Sequence, residues 1–402
     1  MITLSDIQAA LGRIRSSVYL SPCVRSETFS EVTGNSVYLK LDNLQRTGAF
    51  KERGALNKLL TLTAEEKLRG VIAASAGNHA QGVAYHAGRL GIRAQICMPL
   101  TTPLTKVSAT KSYGAEVVLH GTNYDDAYAE ALRRSNDEHA TLVHAFDDDA
   151  VIAGQGTLGL EILQQHPDIQ AVVSPVGGGG LIGGVACAIK EQSPRVQIFG
   201  VQPARLPSMK AALAEGKPVT LAPAITVADG IAVRRVGDRT LPLAQKYVDD
   251  IVTVDDEEIA NAILQLLERE KTLAEGAGAA AIAALLNDKL PLRGKKVAVL
   301  VGGGNIDVTL LARIIERGMV KDGRLVRLRI HLPDYPGALH RLTGILAQHR
   351  ANIVETAYDR AYHGVTLGDT AIDITIETRG AEHIAELLCA LSAADYPHER
   401  VL

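Results

Sequence analysis

From about Val37 to Val301 the chain alternates short, β-branched apolar runs with longer stretches in which apolar residues return every three or four positions. Residues 94–98, 116–119, 172–174 and 197–201 are such runs, and each reads as a strand. Alternation of this kind predicts parallel sheet with crossover helices, an α/β architecture. Ahead of it, Met1 to Arg15 carries a helical pattern with Asp6 inside it. The pattern changes after Lys321-Asp322-Gly323, a short polar linker. Beyond that point, residues 324–332 alternate as a strand, 336–348 read as a helix, 352–360 and 365–377 as strands, and 381–392 as a last helix. The order βαββα predicts a separate α+β domain over residues 324–402, behind a larger one over 1–320.

Composition narrows the function classes. Hydrophobic residues make up 47% of the 402, enough for a large buried core. A net charge of −3 makes no electrostatic case for nucleic acid or acidic membrane as a partner, and the absence of tryptophan weakens base stacking. Cys23, Cys97, Cys187 and Cys389 are scattered without metal-ligand spacing, a usage that suits a reducing compartment. Neither a signal-peptide pattern nor an apolar run of about 20 residues is present, so the expected location is cytoplasmic.

Three local motifs carry chemistry. In Thr47-Gly48-Ala49-Phe50-Lys51-Glu52-Arg53-Gly54-Ala55, a lysine follows an aromatic residue at the start of an amphipathic helix. The positive end of the helix dipole disfavours its cation, and a free amine there can form an imine with a cofactor aldehyde and later act as a base. A lone lysine would read more simply as a helix cap. Ser75-Ala76-Gly77-Asn78-His79-Ala80-Gln81-Gly82 follows an apolar run and precedes a helical pattern, which exposes backbone amides to an anion such as a carboxylate. Asn78 either caps that helix or donates to a phenolate oxygen. Val176-Gly177-Gly178-Gly179-Gly180-Leu181 stands between another apolar run and another helix, where backbone amides can wrap a phosphate. It lacks the Lys-Ser/Thr pair of a nucleotide P-loop. Gly302-Gly303-Gly304-Asn305 forms a fourth turn of this kind.

In this order the motifs resemble those of the fold-type II pyridoxal-phosphate enzymes, and within them most closely the threonine dehydratases (threonine ammonia-lyases). Val227-Ala228-Asp229-Gly230-Ile231-Ala232-Val233 and Ala274-Glu275-Gly276-Ala277-Gly278 are also similar to family signatures. The resemblance spans roughly residues 1–320. It implies two lobes, with residues 46–150 forming a smaller lobe inserted into the larger, and pyridoxal 5′-phosphate between them. It implies that Lys51 holds the cofactor as a Schiff base, that Phe50 packs near the pyridine ring and that Asn78 donates to the ring hydroxyl. The amides of Gly177, Gly178, Gly179, Gly180 and Leu181 would hold the phosphate, and Ser75, Gly77 and His79 belong to the loop that receives the substrate carboxylate. The implied reaction is β-elimination of water from L-threonine, giving 2-oxobutanoate and ammonia, with L-serine as a side substrate. The turn Leu332 to Leu339 and the βαββα order resemble an ACT regulatory domain, with an amino-acid effector and a homo-oligomer, dimer or tetramer, as the implied partners.

Some positions depart from the family pattern. Gly302 stands where a serine commonly meets the pyridine nitrogen, and Ala49 where a serine often precedes Phe-Lys. Ala76 stands where serine racemases carry a serine on the opposite face of the substrate, which favours elimination over racemisation. Gln202 and Ser208 occupy positions where some relatives place carboxylates for a divalent cation, so no metal is expected there. The competing substrate is threo-3-hydroxyaspartate, whose second carboxylate needs a cation, with Arg53, Arg234 and Arg235 as candidates. A cysteine-synthase-type replacement enzyme fits the Ser-Ala-Gly-Asn-His loop less well. From another class, an amino-acid sensor that keeps the fold without catalysis is opposed by the presence of Lys51.

Overall fold

The structure, a computed structural model, describes residues 1–359 and 368–401. It divides into two compact units, Met1–Asp307 and Val308–Leu402. In chain order the first unit holds strands β1 (Cys23–Ser26), β2 (Ser36–Leu41), β3 (Val71–Ala74), β4 (Ala94–Met98), β5 (Glu116–Leu119), β6 (Thr141–Leu142), β7 (Ala171–Pro175), β8 (Gln197–Pro203), β9 (Asp250–Val254) and β10 (Lys296–Val301). They form two sheets. One has the order β1-β2-β10-β7-β8-β9 and is parallel except for the antiparallel edge strand β1. The other has the order β5-β4-β3-β6 and is parallel throughout. Strands β3, β4 and β7 are buried along their whole length, as strands covered on both faces must be.

Helices fill both sheets' faces. Helix Leu4–Ile14, which opens with a capping box between Thr3 and Asp6, buries Ile7, Ala10 and Ile14. Helices Asp149–Gln165 and Gly180–Lys190 approach closely at small residues: a Cβ on Gly156 would stand 2.9 Å from the Gly184 carbonyl oxygen. Helix Lys51–Thr61 is held by a buried charge cluster. Arg53 donates to Asp42 at 2.7 and 2.9 Å and to Glu161 at 2.6 and 2.9 Å, while Lys40 donates to Glu161 at 2.6 Å and to the Ser21 carbonyl at 2.8 Å. Burial opposes both members of the Arg53–Asp42 pair. The carboxylates nonetheless hold Arg53 charged, and the guanidinium holds the Asp42 carboxyl below its ordinary value. Paired in this way, the ions fix the orientation of the helix that begins at Lys51.

The second unit is an antiparallel sheet of β11 (Leu325–Pro333), β12 (Asn352–Asp359), β13 (Asp369–Glu377) and β14 (His398–Arg400), ordered β12-β13-β11-β14. Helices Ala338–Gln348 and Ala381–Ala393 supply Leu342, Leu346, Leu387 and Leu391 to a core shared with Leu328, Ile330 and Ile374. Three details differ from the sequence pattern. Helix Val308–Lys321 groups with this unit, its end tied to β11 by Arg324 N–H donating to the Met319 carbonyl at 2.7 Å, so the unit begins before the polar linker. Pro336 precedes the helix it was expected to start, because Gly337 takes a left-handed φ of 93° and the helix opens at Ala338. Strand β14 lies in a charged stretch that shows no alternation. Arg360, residues 365–367 of the expected strand and His363 lie outside the described residues.

No described helix is long and apolar enough to cross a membrane. The four cysteines are free, with Cys389 exposed and the others buried.

Candidate active site

Three strand ends and one helix start meet in the first unit. Strand β3 ends at Ala74 and runs into the Ser75–Gly77 turn, β7 ends at Pro175 and runs into the glycines, and β10 ends at Val301 and runs into Gly302–Asn305. Phe50 N–H donates to the Gly302 carbonyl at 2.9 Å, which joins the lysine segment to the end of β10. Lys51 is the first residue of its helix, with Phe50 as the cap residue. Burial lowers the Lys51 amine to about 8, and the Glu275 carboxylate pulls weakly the other way. Its Nζ donates to the Ala145 carbonyl at 2.8 Å and stands 5.4 Å from the centre of the Phe50 ring. An amine so placed is neutral in a useful fraction of molecules near neutral pH, as a nucleophile and a base both require.

Asn78 starts helix Asn78–Arg89, but Gly77 is the cap residue and no side chain caps the helix. The Asn78 side chain is held elsewhere. Asn305 Nδ2 donates to the Thr47 carbonyl and to Asn78 Oδ1, each at 2.8 Å, and Asn78 Nδ2 donates to Glu275 Oε1 at 2.6 Å. Because the Thr47 carbonyl can only accept, this chain fixes which end of each amide is nitrogen. The second N–H of Asn78 is left for another acceptor. Glu275 is itself unusual: burial, reinforced by the Asp229 charge, pushes its carboxyl up to about 7, against the hydrogen bond from Asn78.

Ser75 Oγ accepts from Gly77 N–H at 3.1 Å, which tightens the turn. His79 is buried, and burial together with the Lys51 charge pushes its imidazole down to about 3. Its Nε2 bonds the Val143 carbonyl at 2.8 Å, so the side chain braces the loop.

The tetraglycine segment is packed too closely to be a flexible connector. Gly179 has a φ of 98°, and a Cβ there would stand 2.8 Å from the Thr240 Cβ; one on Gly180 would stand 2.8 Å from the Phe146 carbonyl oxygen. A Cβ on Gly178 would collide with the Phe146 ring. No side chain caps helix Gly180–Lys190, so its amino end keeps the positive field that an anion needs. The contact is milder at Gly302, where a Cβ would come within 3.1 Å of Phe50 Cδ1. A serine there would press on the Phe50 ring by a few tenths of an ångström. An amine near 8, an amide with one free N–H and an uncapped helix start behind glycines form a donor set that fits a phosphorylated pyridine aldehyde.

Other expected residues lie elsewhere. Arg53 is spent on Asp42 and Glu161, Arg234 pairs with Asp125 at 2.7 Å, and Arg235 pairs with Asp238 at 2.8 Å. Each candidate cation for a second substrate carboxylate therefore already has a carboxylate partner. Gln202 caps helix Ser208–Glu215, its Oε1 accepting from Met209 and Lys210 N–H at 3.0 Å each. Asp148 caps the helix Asp149–Gln165, and Asp147 accepts from Asp238 and Arg239 N–H at 3.2 and 2.8 Å. Among the described residues, no group of three or more His, Cys, Asp and Glu side chains could hold a metal. The His144–Asp147 loop and the role of Glu275 were invisible to sequence reading. Their partners are remote, and only the signature around Glu275 hinted at it.

Comparison with known proteins agrees with this geometry. The family described as "Pyridoxal-phosphate dependent enzyme" matches residues 14–303. A Thermotoga maritima protein named L-threonine ammonia-lyase is 49% identical over 396 residues, 98% of each chain. Among solved structures, the processed form of threonine deaminase isoform 2 from Solanum lycopersicum has a TM-score of 0.75 at 40% identity, covering 78% of this chain and 91% of its own. Maize serine racemase has a TM-score of 0.75 at 33% identity, covering 79% and 98%.

Proposed function

Since this chain belongs to the pyridoxal-phosphate-dependent enzyme family, we propose that it deaminates L-threonine to 2-oxobutanoate and ammonia, with L-serine as a side substrate. The reading rests chiefly on the near full-length likeness to the Thermotoga maritima threonine ammonia-lyase. When bound, pyridoxal 5′-phosphate supplies the aldehyde that takes up the amine and the ring that draws electrons from Cα. The residues of this chain do the rest. Lys51 provides the amine that anchors the cofactor and, once free, the base that holds the Cα proton. Phe50 would lie against the ring, Asn78 would offer its second N–H to the ring oxygen, and the amides of Gly177–Leu181 would hold the phosphate. The Ser75–His79 loop takes the substrate carboxylate on its backbone and on Ser75 and Gly77, while the His79 imidazole holds the loop in shape. Ala76 offers no proton on the opposite face, so elimination is favoured over racemisation.

Residues 1–320 in this reading are the catalytic part, with 46–150 as the smaller lobe. Residues 324–402 are an ACT domain that binds an amino acid, in a cytoplasmic homo-oligomer. The burial of Arg53 against Asp42 and Glu161 removes it as a partner for the second carboxylate of hydroxyaspartate.

The test is 2-oxo acid release by the cofactor-loaded protein, offered L-threonine, L-serine and threo-3-hydroxyaspartate separately. Preferential turnover of threonine is expected, and turnover of hydroxyaspartate alone would overturn the substrate. The regulatory reading is checked by repeating the threonine assay with added amino acids, and the assembly by light scattering.

A further inference from the structure

The carbonyl that holds Lys51 belongs to a peptide group with a second anchor. Lys51 Nζ donates to the Ala145 oxygen at 2.8 Å, and the N–H of that same peptide, Phe146 N–H, donates to His144 Nδ1 at 3.2 Å. Asp147 N–H donates to the same ring nitrogen at 2.8 Å. A peptide group is planar, and its N–H and C=O point in opposite directions. Fixing the N–H on the imidazole therefore aims the carbonyl at the lysine.

The acceptor role settles the imidazole's protonation. Nδ1 receives two N–H groups, so it carries no proton, and the ring is neutral with its hydrogen on Nε2. Burial favours that state, against the pull of Asp147. The ring also lies edge-on to Phe146, with centroids 4.7 Å apart and planes at 88°, and edge-on to Tyr128 at 5.7 Å. Phe146 in turn is the residue that crowds Gly178 and Gly180. One loop between β6 and helix Asp149–Gln165 thus touches both the lysine and the glycine turn, and His144 is its internal brace. The outer side of the loop is fixed by Asp147, which accepts from Asp238 and Arg239 N–H.

We propose that His144 is a positioning residue for catalysis. Its neutral imidazole holds the Ala145–Phe146 peptide so that the Ala145 carbonyl docks the Lys51 amine whenever that amine is free. A docked amine is held in one place for the proton at Cα, instead of sampling the several rotamers open to a lysine. Misplacement of a reacting group by about 1 Å costs on the order of a hundredfold in rate. The proposal rests on the lyase reading above, but its test separates the two, because it compares variants that differ in one hydrogen-bond acceptor.

The experiment uses two substitutions in the full, cofactor-loaded chain. His144→Phe keeps a ring against Phe146 and removes the acceptor. His144→Asn loses the ring but places Oδ1 the same number of bonds from Cβ as Nδ1. Threonine turnover is measured alongside hydrogen exchange of the 144–148 segment. His144→Phe should exchange faster there and lose about ten- to a hundredfold in kcat, with KM within about twofold. His144→Asn should keep the slow exchange and a kcat within about threefold of the parent. The proposal is overturned if His144→Phe frees the segment yet keeps the parent kcat. It is equally overturned if His144→Asn preserves slow exchange but falls as far as His144→Phe. If the parent itself turns over no threonine, the lyase reading fails, whereas the exchange pattern still reports on the turn.

Discussion

Lys51 and Arg53 lie two residues apart on one helix, and the protein treats their charges in opposite ways. Arg53 is fully buried, and Lys51 is only partly exposed. Arg53 meets two carboxylates with bidentate geometry and is held as a cation. Lys51 meets a neutral carbonyl, and burial lowers its amine to about 8 against the pull of Glu275. Burial by itself pushes an amine toward the neutral form, and a well-aligned counter-ion reverses that push. The Lys51 environment suits an amine that must give up its proton, and that of Arg53 fixes the helix that carries it.

The sharpest way to break this contrast is to remove the amine. Lys51→Ala should abolish cofactor imine absorbance and lower threonine turnover by at least about a thousandfold, measured by spectrum and 2-oxo acid release. A variant that keeps turnover would show that Lys51 is not the working amine. Removing the structural cation should act on folding instead. Arg53→Met leaves Asp42 short of its counter-ion in the interior and should cost about 3–5 kcal/mol in urea unfolding of the cofactor-free protein. Glu161 would keep Lys40, so the loss is expected to come mainly from Asp42.

A smaller effect tests the lysine's burial. The Lys51 amine releases its proton near 8 in the fold and near its ordinary value of 10.5 when unfolded. Below about 8 both states are protonated, and the fold bears the full cost of a buried cation. Between about 8 and 10.5 the unfolded state binds more protons, so stability should rise with pH across that window. Lys51→Met should therefore stabilise the cofactor-free protein by up to about 3 kcal/mol at pH 7, with the advantage shrinking toward pH 10.5. An advantage independent of pH would mean that the amine is not depressed. The smallest change is at Gly302. Gly302→Ser needs Phe50 to yield by only a few tenths of an ångström, so the expected cost is under about 1 kcal/mol, seen as a small drop in melting temperature.

Reading the chain one residue at a time reaches some of this and misses the rest. Lys51, the Ser75–Gly82 segment and the glycine turns announce themselves because a strand, a turn and a helix start are all short-range patterns. The pairing of Asn78 with Glu275 spans 197 residues, and that of Arg53 with Glu161 spans 108. No local periodicity encodes such contacts. Arg53 in particular looked from its neighbours like a candidate for the substrate, because a cation near a candidate amine has the same local signature whether it faces the cleft or the core. His79 depends on a distant partner in a related way: its place in the motif puts it in the loop, and its ring goes to the Val143 carbonyl.

By itself the sequence determined the α/β alternation, the change of pattern into an α+β end, the amine, and the glycines at the two turns. Those are properties of residue type and spacing, through backbone freedom and hydrophobic period. Only the tertiary structure decided which charges are neutralised, which amide of Asn78 is free, and which carbonyl receives Lys51. Electrostatics and hydrogen bonding depend on separation in space and on the water left around each group, and folding sets both by joining segments that lie far apart in the chain.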